Sequence, residues 1–103
     1  MAVLRNENRW ERSNVHVHEG RLLEYDKRRP SPAMLHVDYG VSAIGAAALK
    51  SCGEVFDLAD LYHRLSREGQ LAAFEVTERF YEIGSPAGLA ETRAFLAAEG
   101  RSA

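Results

Sequence analysis

Glu75-Val76-Thr77-Glu78-Arg79-Phe80-Tyr81-Glu82-Ile83-Gly84-Ser85-Pro86 is the stretch on which the fold turns. Leu71 to Ile83 reads as two strand segments, Ala73–Val76 and Arg79–Ile83, rich in the aromatic and branched residues that suit a pleated surface. Gly84 turns the chain. Ser85 is a favourable N-cap and Pro86 fits the first helical position, where its missing N–H is no loss. A strand that ends in an acid and runs through a glycine turn into a capped helix is a β-to-α unit. Leu89, Thr92, Arg93 and Leu96 share one face of that helix, and Gly100 closes it.

Working back from this unit, Asp57 to Glu68 is the clearest helix. Asp57 can cap it and Asp60 places negative charge in the first turn. Leu58, Leu61, Tyr62 and Leu65 follow the spacing of one buried face, and Gly69 suits the end. Gly45–Lys50 is a shorter helix candidate. Met34–Ile44 reads as a long strand interrupted by Gly40, a bulge or a close approach of backbone to a ligand. Asn14–His18 and Arg21–Tyr25 flank Glu19-Gly20 and form a hairpin. Pro30-Ser31-Pro32 then ends regular pairing. Ala2–Arg5 is a strand with no turn or cap before it, which leads us to expect a partner element or a missing upstream segment. Strands alternate with helices, so the class is α/β. There is no internal repeat or low-complexity segment.

The 103 residues are one small domain's worth, and 46% are hydrophobic, which argues against disorder over the whole length. A formal net charge of −2 with mixed signs argues against a nucleic-acid partner, which calls for a concentrated basic face. No apolar run reaches the roughly 18 residues that span a bilayer, so no membrane partner is expected. Met1–Trp10 carries charges where a secretion signal needs an apolar core. The single cysteine, Cys52, allows no internal disulfide and suits a reducing compartment, so a cytoplasmic location is expected.

Zinc spacing, a hydrolase elbow and a Walker loop are all absent from the sequence. His16 and His18 lie on one side of a strand; they could bind a metal only with Glu19 or Asp38, and otherwise form a solvent-facing edge. Cys52 has no neighbour in sequence to activate it. Lys27, at the end of the hairpin in Glu24-Tyr25-Asp26-Lys27-Arg28, is either a point-charge partner for a phosphate or a solvated loop charge. Val37-Asp38-Tyr39-Gly40 sets a glycine in mid-strand after an acid. Glu82 is either a hard oxygen ligand for Mg²⁺ or the partner of Arg79 or Arg93 in a surface ion pair.

Taken in order, these clusters resemble the nucleotidyltransferases that join a sugar 1-phosphate to a nucleoside triphosphate. The nearest likeness is to bacterial mannose-1-phosphate or heptose-1-phosphate guanylyltransferase-like proteins. The resemblance runs from about Val3 to Leu96. Its most specific pieces are Phe56-Asp57-Leu58-Ala59-Asp60-Leu61-Tyr62 and the stretch quoted at the outset. It implies a single partial domain over residues 1–103; the end of the chain, Arg101–Ala103, reads on its own as a frayed tail. That domain would be the C-terminal, sugar-phosphate half of a Rossmann-like (GT-A-like) nucleotide-diphospho-sugar transferase, a mixed sheet with flanking helices.

The resemblance also implies site residues. Lys27 stands where the family's Glu-Lys-Pro-like lysine holds the sugar phosphate, although Asp26-Lys27-Arg28 lacks the proline. Gly40 matches a glycine that contacts the sugar. Asp57 and Asp60 match an acid pair that opens the corresponding helix, with a structural or sugar-orienting role. Glu82-Ile83-Gly84 stands where the family has an Asp-Ile-Gly or Asp-Thr-Gly turn that binds Mg²⁺. Nothing in Met1–Glu24 resembles the family's glycine-rich triphosphate loop, and the upstream metal-binding aspartate is also missing. The implied partners are therefore a sugar 1-phosphate and a nucleoside triphosphate in a complete enzyme, with homo-oligomerisation or pairing with a missing N-terminal half. The alternatives are a non-catalytic fragment or a small interaction or sugar-phosphate-binding module.

Overall fold

The computed structural model describes residues 1–100; the expected frayed tail, Arg101–Ala103, lies outside them. Its elements run β1 (Ala2–Arg5), β2 (Val15–His18), β3 (Arg21–Tyr25), β4 (His36–Asp38), α1 (Ala46–Lys50), α2 (Leu58–Arg67), β5 (Phe74–Val76) and α3 (Pro86–Ala98). The strands form one mixed sheet in the order β3-β2-β4-β1-β5. β1 pairs with β4 antiparallel, Leu4 opposite Val37, and with β5 parallel, Leu4 opposite Val76. A mixed sheet with helices beside it agrees with the α/β class read from the alternation of strands and helices.

The β2–β3 hairpin closes as expected. Glu19 and Gly20 both take positive φ, 51° and 77°, the twist that matches a two-residue hairpin to its strands. A bulge between His16 and Val17 sharpens the bend. β3 then docks on α2 through Tyr25. The Ser66 hydroxyl accepts the Tyr25 backbone N–H at 3.0 Å, and His63 Nδ1 lies 2.8 Å from the Tyr25 carbonyl. The Tyr25 and Tyr62 rings meet edge to face at 5.6 Å.

Asp57 caps α2 by accepting the Ala59 N–H at 2.9 Å. Leu61, Tyr62, Leu65 and Ser66 are buried, whereas Leu58, expected on that face, is 43% exposed in the first turn. The core gathers Met1, Val3, Val15, Leu22, Tyr25 and Tyr62 between sheet and helix. On β4, buried His36 reaches Glu75 of β5 at 3.1 Å, tying two strands together across β1.

Two expected strands are shorter or absent. Of Met34–Ile44 only His36–Asp38 is strand. The Asp38 carboxylate accepts the Gly40 N–H at 2.9 Å, and Gly40 takes a φ of +90°, a left-handed turn that leads the chain off the sheet. Arg79–Ile83 is not a strand. Among the described residues no strand lies beyond β5 to pair with it, and β-propensity without a partner backbone does not build a ladder. α3 starts as read, with the Ser85 hydroxyl accepting the Gly88 N–H at 3.0 Å and Pro86 in the first turn. Its inward side is Leu89, Thr92, Phe95 and Leu96, while Arg93 is exposed.

Candidate functional site

Gly40 and Glu82 line one cavity of about 320 Å³ together with Glu11, Asp38, Tyr39, Phe80 and Tyr81. Each wall has a local cause. Asp38 is the last residue of β4, and its backbone N–H is held at 3.0 Å by the Asn14 side chain. Gly40 follows in the left-handed turn just described. Glu11 comes from the β1–β2 connection, a loop folded around its own polar side chains. Buried Asn6 donates to the Glu11 carbonyl at 2.6 Å. Ser13 exchanges hydrogen bonds with Asn8, and its hydroxyl donates to Asn6 at 2.6 Å. Glu7 and Asn8 take positive φ, 50° and 61°, to make this closure.

The charges of this cleft affect one another. Glu11's carboxyl is held above its usual range, first by the protein packed around it, then by Glu82, with Asp38 adding to the rise; Lys27 opposes it. Lys27 does not line this cavity. It opens instead on a separate cavity of about 440 Å³, bounded by Asp26, Arg28, Arg29, Asp60, His63 and Arg67. The loop that carries it is an Asx turn: the Asp26 carboxylate accepts the N–H groups of Arg28 and Arg29 at 3.0 and 2.9 Å. Those hydrogen bonds, Arg29's first, hold Asp26 below the usual carboxylate range. Lys27 forms no ion pair among the described residues. Tyr25, at the base of this loop, has its phenol pushed up to about 12, by burial first and Asp38 next.

Asp57 is in a different position. One of its carboxylate oxygens caps α2 and the other meets Arg28 at 3.3 Å, while Asp60 takes the other arm of the same guanidinium. Asp57 and Asp60 therefore fasten the Lys27 loop to α2, and neither lines the cavity of Gly40 and Glu82. His16 and His18 pair across the hairpin with Glu24 and Arg21. Cys52 is a half-buried free thiol at the end of α1, its Sγ 3.4 Å from the Ala48 carbonyl.

As for the expected Mg²⁺, the donors at hand are of the right kind. Carboxylate oxygens are hard ligands, and Mg²⁺ commonly takes only one or two of them besides water and substrate phosphate. Among the described residues no group of three or more histidines, cysteines or acids is gathered closely enough to form a cage. Glu82 does not make either expected ion pair: Arg79 binds Glu91 instead, at 2.7 Å. Glu11 escaped the sequence reading, because its place in the cleft depends on how Asn6, Asn8 and Ser13 curl the loop. The available signal was the Trp10-Glu11 pair inside a polar connection.

Among the described residues no helix is long and apolar enough to cross a membrane. No protein-family model, curated protein or solved structure matches this chain.

Proposed function

We propose that this chain is the acceptor half of a sugar-1-phosphate nucleotidyltransferase, of GT-A-like architecture, working in the cytoplasm. The observation that carries the reading is that Gly40 and Glu82, far apart in sequence, face one cavity, while Lys27 opens on a separate one. In the reaction a phosphate oxygen of the sugar 1-phosphate attacks the α-phosphorus of a nucleoside triphosphate. The bond to the β-phosphate oxygen breaks, and pyrophosphate leaves with that electron pair. Such a step asks a protein for positioning and charge neutralisation more than for covalent work.

Each residue then has a role. Lys27 neutralises the acceptor phosphate and keeps it from the carboxylates. Gly40, with no side chain, lets the sugar approach the backbone beside Tyr39. Asp57 holds Arg28 and so the loop of Lys27. Glu82 would hold Mg²⁺, which when bound supplies charge neutralisation at the α-phosphate. The grip on the triphosphate must come from another element, since no stretch here carries one. β5 is a sheet edge with Phe74 72% exposed, and such an edge suits a complementing half or a second copy.

Calorimetric titration with mannose 1-phosphate, mannose and inorganic phosphate tests the reading. The sugar phosphate should bind best, and Lys27→Ala should remove most of that affinity. The isolated chain should release no pyrophosphate from a nucleoside triphosphate. Equal affinity for inorganic phosphate would reduce the site to an anion pocket, and absence of binding would overturn the proposal.

A further inference from the structure

Glu82 lies in Thr77–Gly84, a segment without regular secondary structure, and Glu11 and Asp38 carry like charge into the same cleft. Something must hold it there. The Arg79 guanidinium lies over the Trp10 ring at 4.4 Å and over the Tyr81 ring at 4.2 Å. Its edge donates to Glu91 of α3 at 2.7 Å and to the Phe80 carbonyl at 3.2 Å. Tyr81 in turn stacks on Phe95 of α3 at 4.1 Å, and Phe80 meets Trp10 and Tyr39 edge-on at 6.5 and 6.1 Å. One half-buried arginine thus joins the β1–β2 loop, the irregular segment and α3. On the other side of Glu82, its carbonyl lies so close to Gly88 that a Cβ there would overlap it. Stacked and forked, an arginine can do this where a lysine cannot.

We propose that Arg79 is a positioning residue for Glu82, clasping its segment between Trp10 and Tyr81, and that Gly88 is the seat on which the Glu82 backbone rests. The clasp itself is independent of the acceptor reading; its service to catalysis rests on that reading. Trp10 is the only tryptophan, so its fluorescence reports the clasp directly. In Arg79→Met, iodide should quench Trp10 more strongly and nuclear Overhauser contacts between Glu82 and Gly88 should vanish. The near-ultraviolet dichroism of the Tyr25–Tyr62 pair should stay as it was. Mn²⁺, used as the probe, should broaden the Gly40 and Glu82 amides of the parent chain. That broadening should be lost in Arg79→Met although Glu82 is intact, and Arg79→Lys, which keeps charge but not the fork, should restore only part of it. If Arg79→Met does not fold, Glu91→Ala, which removes the acceptor of one arm of the fork, should show the same losses in smaller measure. Persisting Glu82–Gly88 contacts with unchanged quenching in these variants would overturn the clasp. A clasp that depends on Arg79 in a chain that binds no sugar phosphate would support the clasp and sink the acceptor reading alone.

Discussion

The hairpin with α2 and the segment from Thr77 to the end of α3 are held by different forces. The first is a packed layer: Val3 and Val15 are wholly buried, and Tyr25 and Tyr62 meet in the same core. In the second, among the described residues, α3 buries no side chain fully. Its attachments include one guanidinium between two rings, a Tyr81–Phe95 stack, edge contacts of Phe80 with Trp10 and Tyr39, and a charged bond to Glu91. Apolar burial is cooperative, non-directional and set by pattern. A clasp of rings and one cation is directional and can open without unfolding the rest. The candidate cleft lies across this divide, with Asp38 and Gly40 on the packed side and Glu82 on the clasped one.

Substitutions should break the two regions differently. Tyr62→Ala empties the core beneath the sheet and should cost about 3–5 kcal/mol, a large part of what a domain of this size has. Cooperative chemical denaturation followed by far-ultraviolet dichroism would show it as a lowered midpoint for the whole molecule. Phe95→Ala removes a half-buried stack and should cost about 1 kcal/mol. Its effect should appear as faster amide exchange confined to Arg79–Ala98, with hairpin and α2 protection unchanged. A uniform loss of protection in Phe95→Ala would contradict the division drawn here.

A smaller effect sharpens the comparison through pH. The Tyr25 phenol is raised from an ordinary value of 10.0 to about 12. A raised phenol keeps its proton longer in the folded chain than in the unfolded one. The stabilising contribution is therefore complete below pH 10 and is lost as pH rises towards 12. Alkaline melting should loosen the hairpin and α2 in that window, and Tyr25→Phe should flatten the dependence. An unchanged alkaline slope in Tyr25→Phe would place the sensitivity elsewhere.

The same division explains what the sequence made legible. The β2–β3 turn, the Asp57 and Ser85 caps and the Leu61-Tyr62-Leu65 face were readable because each depends on local chemistry or on a short period. Arg79–Ile83 was misread as a strand because its aromatic content suits a ladder, whereas its order comes from Trp10 and Phe95, distant in sequence. The strand through Gly40 ended early because a single Asx bond from Asp38 and a positive φ outweighed several residues of β-propensity. Leu58, in phase with its helix, is 43% exposed, while Ala59 of the same turn packs against the core. Of the residues named through the resemblance, Gly40 and Glu82 line one cavity and Lys27 lines another. Glu11 was missed, since only a loop closed by buried Asn6 and Ser13 carries it beside Gly40 and Glu82.

The proposed function requires residues from both regions to act on one acceptor. Nitrogen-edited amide spectra recorded while mannose 1-phosphate is added to the intact chain test it most directly. The account predicts that Lys27 and Gly40 on the packed side and Tyr81 and Ile83 on the clasped side shift together along one binding curve. It also predicts that Lys27→Ala abolishes all four shifts. Shifts confined to Lys27–Arg29, or separate curves for the two sides, would contradict it.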